Sequence, residues 1–133
     1  MVPIWSSASI GGLPLEKYPG YTQKLGQETF IRAKTSGAEM IRKKTGAGYA
    51  VGVSIAEVVH AIALDSKRIL PISSVKRGCY GLRDVALSVP TIVGRDGAEQ
   101  PLEIELWPKE VQALKRSGAI LQETLSKVLA GSH

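Results

Sequence analysis

The chain has 133 residues, 44% hydrophobic and 22% charged, with 17 Lys and Arg against 12 Asp and Glu for a formal charge of +5. These are globular proportions, which exclude wholesale disorder and collagen-like repetition, and the length suits one domain with a single core. The lone Cys79 cannot bridge within the chain, so a reducing compartment, the cytoplasm, is expected. The densest basic run, Arg42-Lys43-Lys44, is only three residues long and aromatics make up 5%, so no nucleic-acid partner is expected. No apolar run reaches the roughly 20 residues of a membrane span, and the start lacks the basic-then-apolar layout of a secretory signal.

In chain order, Val2 to Ile10 reads as a strand entering a turn at Gly11-Gly12 and Leu13-Pro14, and Glu16 to Gly26 as a loop. From Gln27 to Lys44, Phe30, Ala33, Gly37, Met40 and Ile41 recur at steps of three and four, which predicts an amphipathic helix. Thr45-Gly46-Ala47-Gly48 predicts a break, because glycine is costly inside a helix and suits the left-handed backbone of a helix end. Tyr49 to Leu64 is apolar almost all round, with Ser54, Glu57 and His60 as a narrow polar strip, and reads as a second, mostly covered helix. Small residues between two helices make a hinge where function can sit.

Arg68 to Val75 predicts a β-branched strand whose Pro71 belongs near a sheet edge, since proline cannot donate to the ladder. Lys76 to Asp84 reads as a turn region. Val85, Leu87 and Val89 alternate, Gly94-Arg95-Asp96-Gly97 supplies turn chemistry, and Leu102, Ile104 and Leu106 alternate with Glu103 and Glu105, so an antiparallel hairpin with one wet face is expected. Pro108 stands at a helix start, and Val111, Leu114, Gly118, Leu121, Leu125 and Val128 form the stripe of a final helix. Gly131-Ser132-His133 reads as the stub of a purification tag.

The chemistry is sparse. Nucleophilic or acid–base catalysis needs a base with an orienting partner, yet His133 falls in the tag stub and His60 follows Glu57 on a helix, where a local polar pair explains both. One cysteine and one credible histidine cannot supply a metal's ligands. Glu103 and Glu105 are expected to face solvent, and Glu39 to pair with Lys43. Gly46-Ala47-Gly48 precedes a helix but follows another helix instead of a strand, so it is no dinucleotide fingerprint. On these grounds the chain is a compact α+β domain without a self-sufficient active site.

Several runs occur together in order: Val2-Pro3-Ile4-Trp5-Ser6-Ser7-Ala8, Gly11-Gly12-Leu13-Pro14, Gly37-Ala38-Glu39-Met40-Ile41, Arg68-Ile69-Leu70-Pro71-Ile72-Ser73, Tyr80-Gly81-Leu82-Arg83-Asp84-Val85 and Val93-Gly94-Arg95-Asp96-Gly97. Through them the chain resembles the C-terminal, substrate-binding domain of the L-lactate and malate dehydrogenase family, most like the lactate enzymes. The resemblance implies an α+β fold, with a kinked helix pair and a C-terminal helix packed on antiparallel strands and no Rossmann domain. It assigns residues 1–130 to that domain and leaves 131–133 as tag.

In this family a nucleotide-binding half comes first, and the proton-transferring histidine precedes the Val-Pro-Ile-Trp strand. The catalytic His, its Asp partner and the substrate-clamping Arg are therefore expected outside this chain. NAD is implied for the parent enzyme, with none expected on the isolated chain. The resemblance places Ala47, or Gly48 after a shift of one residue, beside the substrate, a small 2-hydroxy or 2-oxo acid, and Val51 against the nicotinamide ring. Lactate enzymes usually carry threonine at the Ala47 position, so lactate and malate stay open. Without its partner half the chain is expected to expose apolar surface along Val51 to Ile62 and near Trp5, and to self-associate. The alternatives are a malate dehydrogenase fragment and a stand-alone, non-catalytic binding module.

Overall fold

The computed structural model describes residues 1–44 and 48–131. The chain divides into two compact bodies, Pro3–Ala56 with Met1 and Glu57–His133 with Val2, and the boundary falls inside one helix.

The first body opens without the expected strand. Residues 2–8 form no ladder; Ala8 N–H donates to the Trp5 carbonyl at 3.1 Å, closing a turn instead. Only β1 (Ser9–Ile10) pairs with β2 (Leu13–Pro14), across Gly11 and Gly12 at φ +58° and +85°. Two successive positive-φ residues are what a tight two-residue hairpin needs, and glycine adopts them without a Cβ clash. A single 3-10 turn follows at Leu15–Lys17.

Helix α1 spans Gln23–Lys44, starting four residues before the periodic stripe. The cause is Thr22, whose hydroxyl accepts the Leu25 N–H at 3.1 Å and so satisfies one of the orphan donors of the first turn. Phe30 of the stripe is half-buried, whereas Met40 and Ile41 are exposed. Glu39 and Lys43 pair at 2.7 Å, as their i,i+4 spacing predicts.

Helix α2 spans Gly48–Ala63 and departs from expectation in its burial. Ala61 is fully buried and Val58 and Ile62 half-buried, but Val51, Val53, Ile55 and Val59 are exposed. The sequence is that of a covered helix, yet most of its length is exposed.

In the second body, β3 (Arg68–Arg77), β4 (Arg83–Gly94) and β5 (Gly97–Pro101) form an antiparallel sheet in that order. Pro71 thus lies on an edge strand, as its missing N–H requires, directly opposite Pro90. On β4, Val85, Leu87, Val89, Thr91 and Val93 alternate into the interior. Helix α3 (Pro108–Ala130) lays Leu114 against Leu82, Val85, Leu87 and Val89, and Gly118 permits a close approach to Leu82. Its stripe is buried only through Gly118; Leu121, Leu125 and Val128 remain exposed.

The second limb of the expected hairpin is corrected. Residues 102–106 are not a strand: β5 stops at Pro101, and after a Leu102 N–H bond to the Pro90 carbonyl at 2.7 Å the chain leaves the sheet. What holds it is Tyr80, whose hydroxyl accepts the Ile104 N–H at 2.7 Å and donates to the Ile104 carbonyl at 3.1 Å. Leu102, Ile104 and Leu106 are half-buried while Glu103 and Glu105 are exposed, so the alternation sorts inside from outside without a ladder.

Candidate functional site

Of the expected hinge and pocket, Ala47 lies outside the described residues, together with Thr45 and Gly46. Gly48 is the first residue of α2, where a Cβ would meet nothing within 4 Å. Val51 follows by one turn and is 52% exposed, with Ile55 a further turn along the same side. Tyr49, between the candidates, is 95% exposed. Ser54, on the polar strip, turns its hydroxyl back to the Ala50 carbonyl at 3.1 Å. The arrangement offers a glycine that leaves room for a ligand and a β-branched residue presenting an apolar face. Neither residue can exchange a proton.

The one candidate base is not assembled into a dyad. His60 is exposed, and the Glu57 carboxylate is ion-paired with the Arg68 guanidinium instead of the imidazole, which replaces the expected Glu57–His60 pairing. Among the described residues, no group of three or more His, Cys, Asp and Glu could hold a metal ion, and no helix is long and apolar enough to cross a membrane.

Polar structure concentrates elsewhere in the second body. Lys67 Nζ lies 2.9 Å from Asp65 Oδ1 and 2.7 Å from Glu99 Oε1, and Asp65 also accepts the Arg95 N–H at 2.6 Å. The hydrogen bond from Lys67, then that from Arg95, holds the Asp65 carboxyl below its usual value; Glu99 and then Asp65 raise Lys67 above the ordinary lysine value. This cluster staples the turn before β3 to the β4–β5 hairpin, and sequence spacing gives no sign of it because Glu99 is 32 residues from Lys67. A second group surrounds the turn after β3. Tyr80 N–H donates to Glu103 Oε1 at 2.7 Å, and burial, followed by Glu103, pushes the half-buried Cys79 thiol up. On α1, Thr29, Arg32, Ala33, Thr35, Ser36 and Glu39 line an open groove of about 380 Å³. Its Thr35 and Ser36 hydroxyls donate to carbonyls of their own helix at 2.9 and 2.8 Å, so neither is left seeking a ligand.

The sequence profile described as "lactate/malate dehydrogenase, alpha/beta C-terminal domain" matches residues 1–131, and the chain belongs to that family. It is 34% identical over 128 residues to an L-lactate dehydrogenase of Synechococcus sp. (strain JA-3-3Ab), covering 96% of this chain and 42% of that protein. A malate dehydrogenase of Chlorobium phaeobacteroides (strain BS1) is 37% identical over 134 residues, covering 96% and 41%. Among solved structures, the minor L-lactate dehydrogenase from Enterococcus mundtii in its ligand-bound form superposes with a TM-score of 0.90 at 27% identity, over 96% of this chain and 42% of that one. The chain therefore spans less than half the length of the relatives it matches, and no Rossmann-like portion falls among the described residues.

Proposed function

We propose that this chain is the substrate-binding half, residues 1–130, of an NAD-dependent L-2-hydroxy-acid dehydrogenase of lactate or malate type, and that it is inactive alone. The observation carrying this reading is the match of one domain family along the chain against only 41–42% of dehydrogenases named for lactate and malate. Oxidation of a 2-hydroxy acid requires hydride and proton to leave one carbon–oxygen unit together, with substrate and cofactor held in register. In NAD enzymes the nicotinamide supplies the hydride acceptor. This chain's part is to wall the pocket: Gly48, or Ala47 beside it, leaves space for the acid's side chain, and Val51 presents an apolar face to the ring. Proton transfer falls to a residue outside the chain, since His60 lacks an orienting carboxylate and Glu57 is held by Arg68.

The exposed apolar residues of α2, with Val51, Ile55 and Val59 along one side and Val53 on another, also favour self-association, because exposed apolar surface tends to be covered. Sedimentation at micromolar concentration is expected to show a dimer or larger species; a monomer contradicts this part. The functional reading is tested by assaying NAD reduction with L-lactate and with L-malate, using the chain alone and mixed with a separately produced nucleotide-binding half. Activity only in the mixture is expected. Turnover by the chain alone, or none in a mixture shown to associate, overturns the proposal.

A further inference from the structure

Where β3 turns into β4, two cations stand face to face. Arg77 ends β3, Arg83 opens β4, and the two are register partners. The Gly78 N–H donates to the Leu82 carbonyl at 2.8 Å, one step further along both strands. That bond makes Arg77 and Arg83 a non-hydrogen-bonded cross-strand pair, the closer of the two kinds, with Cα atoms about 4.5 Å apart. Like charges directly opposite one another destabilise a sheet. Both residues are exposed, and among the described residues neither takes part in an ion pair.

A third cation joins them from α3. Lys115 passes Gly81, its Cε and Nζ 3.8 and 4.0 Å from where a Cβ would stand, and Arg83 Nη2 lies 3.9 Å from the same point on Gly78. The Gly81 N–H donates to the Gly78 carbonyl at 2.7 Å, so the two glycines are the ends of one tight turn. Gln122, about two helical turns beyond Lys115 on the same side of α3, donates its side-chain amide to the Arg83 carbonyl at 2.6 Å and ties the start of β4 to that side. Lys115 too is exposed and in no ion pair among the described residues. Two acids lie close in the chain or the fold: Asp84 pairs with none of the three cations, and Glu103 accepts the Tyr80 N–H.

We propose that the β3–β4 turn is an anion seat for a phosphate group, held by the Arg77 and Arg83 guanidinium groups and closed on the α3 side by Lys115. The backbone, through strand register and the Gln122 bond, holds these cations together without carboxylates, so a bound dianion offsets repulsion that the free chain carries. Guanidinium forks match phosphate oxygens two at a time, and the lysine adds a compact point charge. Gly78 and Gly81 leave the ends of the turn bare, which lets a ligand approach the backbone closely. The shared chemistry is the phosphate dianion, free or esterified. The seat uses neither Gly48 nor Val51 and is independent of the dehydrogenase reading.

The test titrates the full chain with inorganic phosphate and, separately, with phenyl phosphate, at ionic strength held constant with sodium chloride, and follows backbone amide resonances. Saturable shifts confined to residues 77–84 and the turn of α3 around Lys115 are expected. Binding is expected to weaken at least fivefold in Arg77→Gln/Arg83→Gln and in Lys115→Gln, and to stay unchanged in Lys34→Gln on α1. Tighter binding of phenyl phosphate supports the seat and marks an esterified ligand; equal or weaker binding supports it and marks free phosphate. Shifts that do not saturate, that spread equally over the basic residues of α1, or that weaken as much in Lys34→Gln overturn the proposal. If the double variant does not fold, Arg77→Gln decides. It relieves the like-charge pair, so its urea midpoint in phosphate-free buffer is expected to rise, and the further rise that phosphate gives the unaltered chain is expected to vanish. A midpoint that does not rise, or a phosphate effect that persists, overturns the proposal.

Discussion

The sheet body and the helical body differ in what their apolar residues achieve. In Glu57–His133, Leu82, Val85, Leu87, Val89 and Leu114 close on one another, and the polar groups at the rim are paired: Asp65, Lys67 and Glu99 with each other, Tyr80 with Ile104, Glu110 with the Trp107 N–H. In Pro3–Ala56, among the described residues of α1 only Gly26 is buried, and the part of α2 that belongs there leaves Tyr49, Val51, Val53 and Ile55 exposed. The first arrangement closes a core, although Leu121, Leu125 and Val128 beyond Gly118 on α3 stay exposed. In the second, α1 is polar and the apolar part of α2 has the accessibility of a surface.

The sharpest way to break this comparison is a pair of truncations. Leu114→Ala removes a core side chain and is expected to cost about 2–5 kcal/mol in urea unfolding, whereas Val53→Ala on exposed α2 is expected to stay within about 0.5 kcal/mol. Equal losses would show that both bodies are packed alike. Gly118→Leu comes next, since even a Cβ there would stand 2.7 Å from Leu82 Cδ2, and overpacking of this kind costs about 1–3 kcal/mol by the same measurement. Tyr80→Phe deletes the hydroxyl that both donates to and accepts from Ile104, with an expected loss of about 1–2 kcal/mol and faster amide exchange at Ile104.

The smallest effect concerns the acid limb. Because Asp65 is held below its unfolded value of 3.8, its stabilising contribution is present above that pH and lost as the pH falls through the lower folded value. Asp65→Asn is expected to flatten the fall in stability below pH 4, as read from urea midpoints between pH 2 and pH 6. An unchanged slope would mean that the staple does not couple to folding.

Much of the sheet body was legible from residue order. Alternation at Val85, Leu87 and Val89, turn chemistry at Gly94 to Gly97, and Pro108 opening α3 each reflect local rules that tertiary contacts reinforced. Pro71 on the edge strand followed from one missing N–H. The strand expected over Val2 to Ile10 formed only at Ser9–Ile10, because the Trp5–Ala8 turn folds the chain back before it. Residues 102–106 have strand periodicity but are tied by Tyr80, a contact 24 positions away that no local pattern reveals. α2 was legible as a helix and misleading in burial, since its nearly all-round apolar sequence predicts cover and most of its length is exposed. The candidate site was legible mainly through family resemblance, as Gly48 and Val51 bear no chemistry that would single them out.

The central claim is that the exposed stretch of α2 is one side of a pocket completed by a nucleotide-binding half. Amide exchange across Tyr49–Val59, measured on the chain alone and after addition of that half, tests this most directly. The account predicts rapid exchange alone and strong protection in the mixture, deepening when NAD and a 2-hydroxy acid are added. Protection already present in the chain alone, or none gained in a mixture that demonstrably associates, would contradict it.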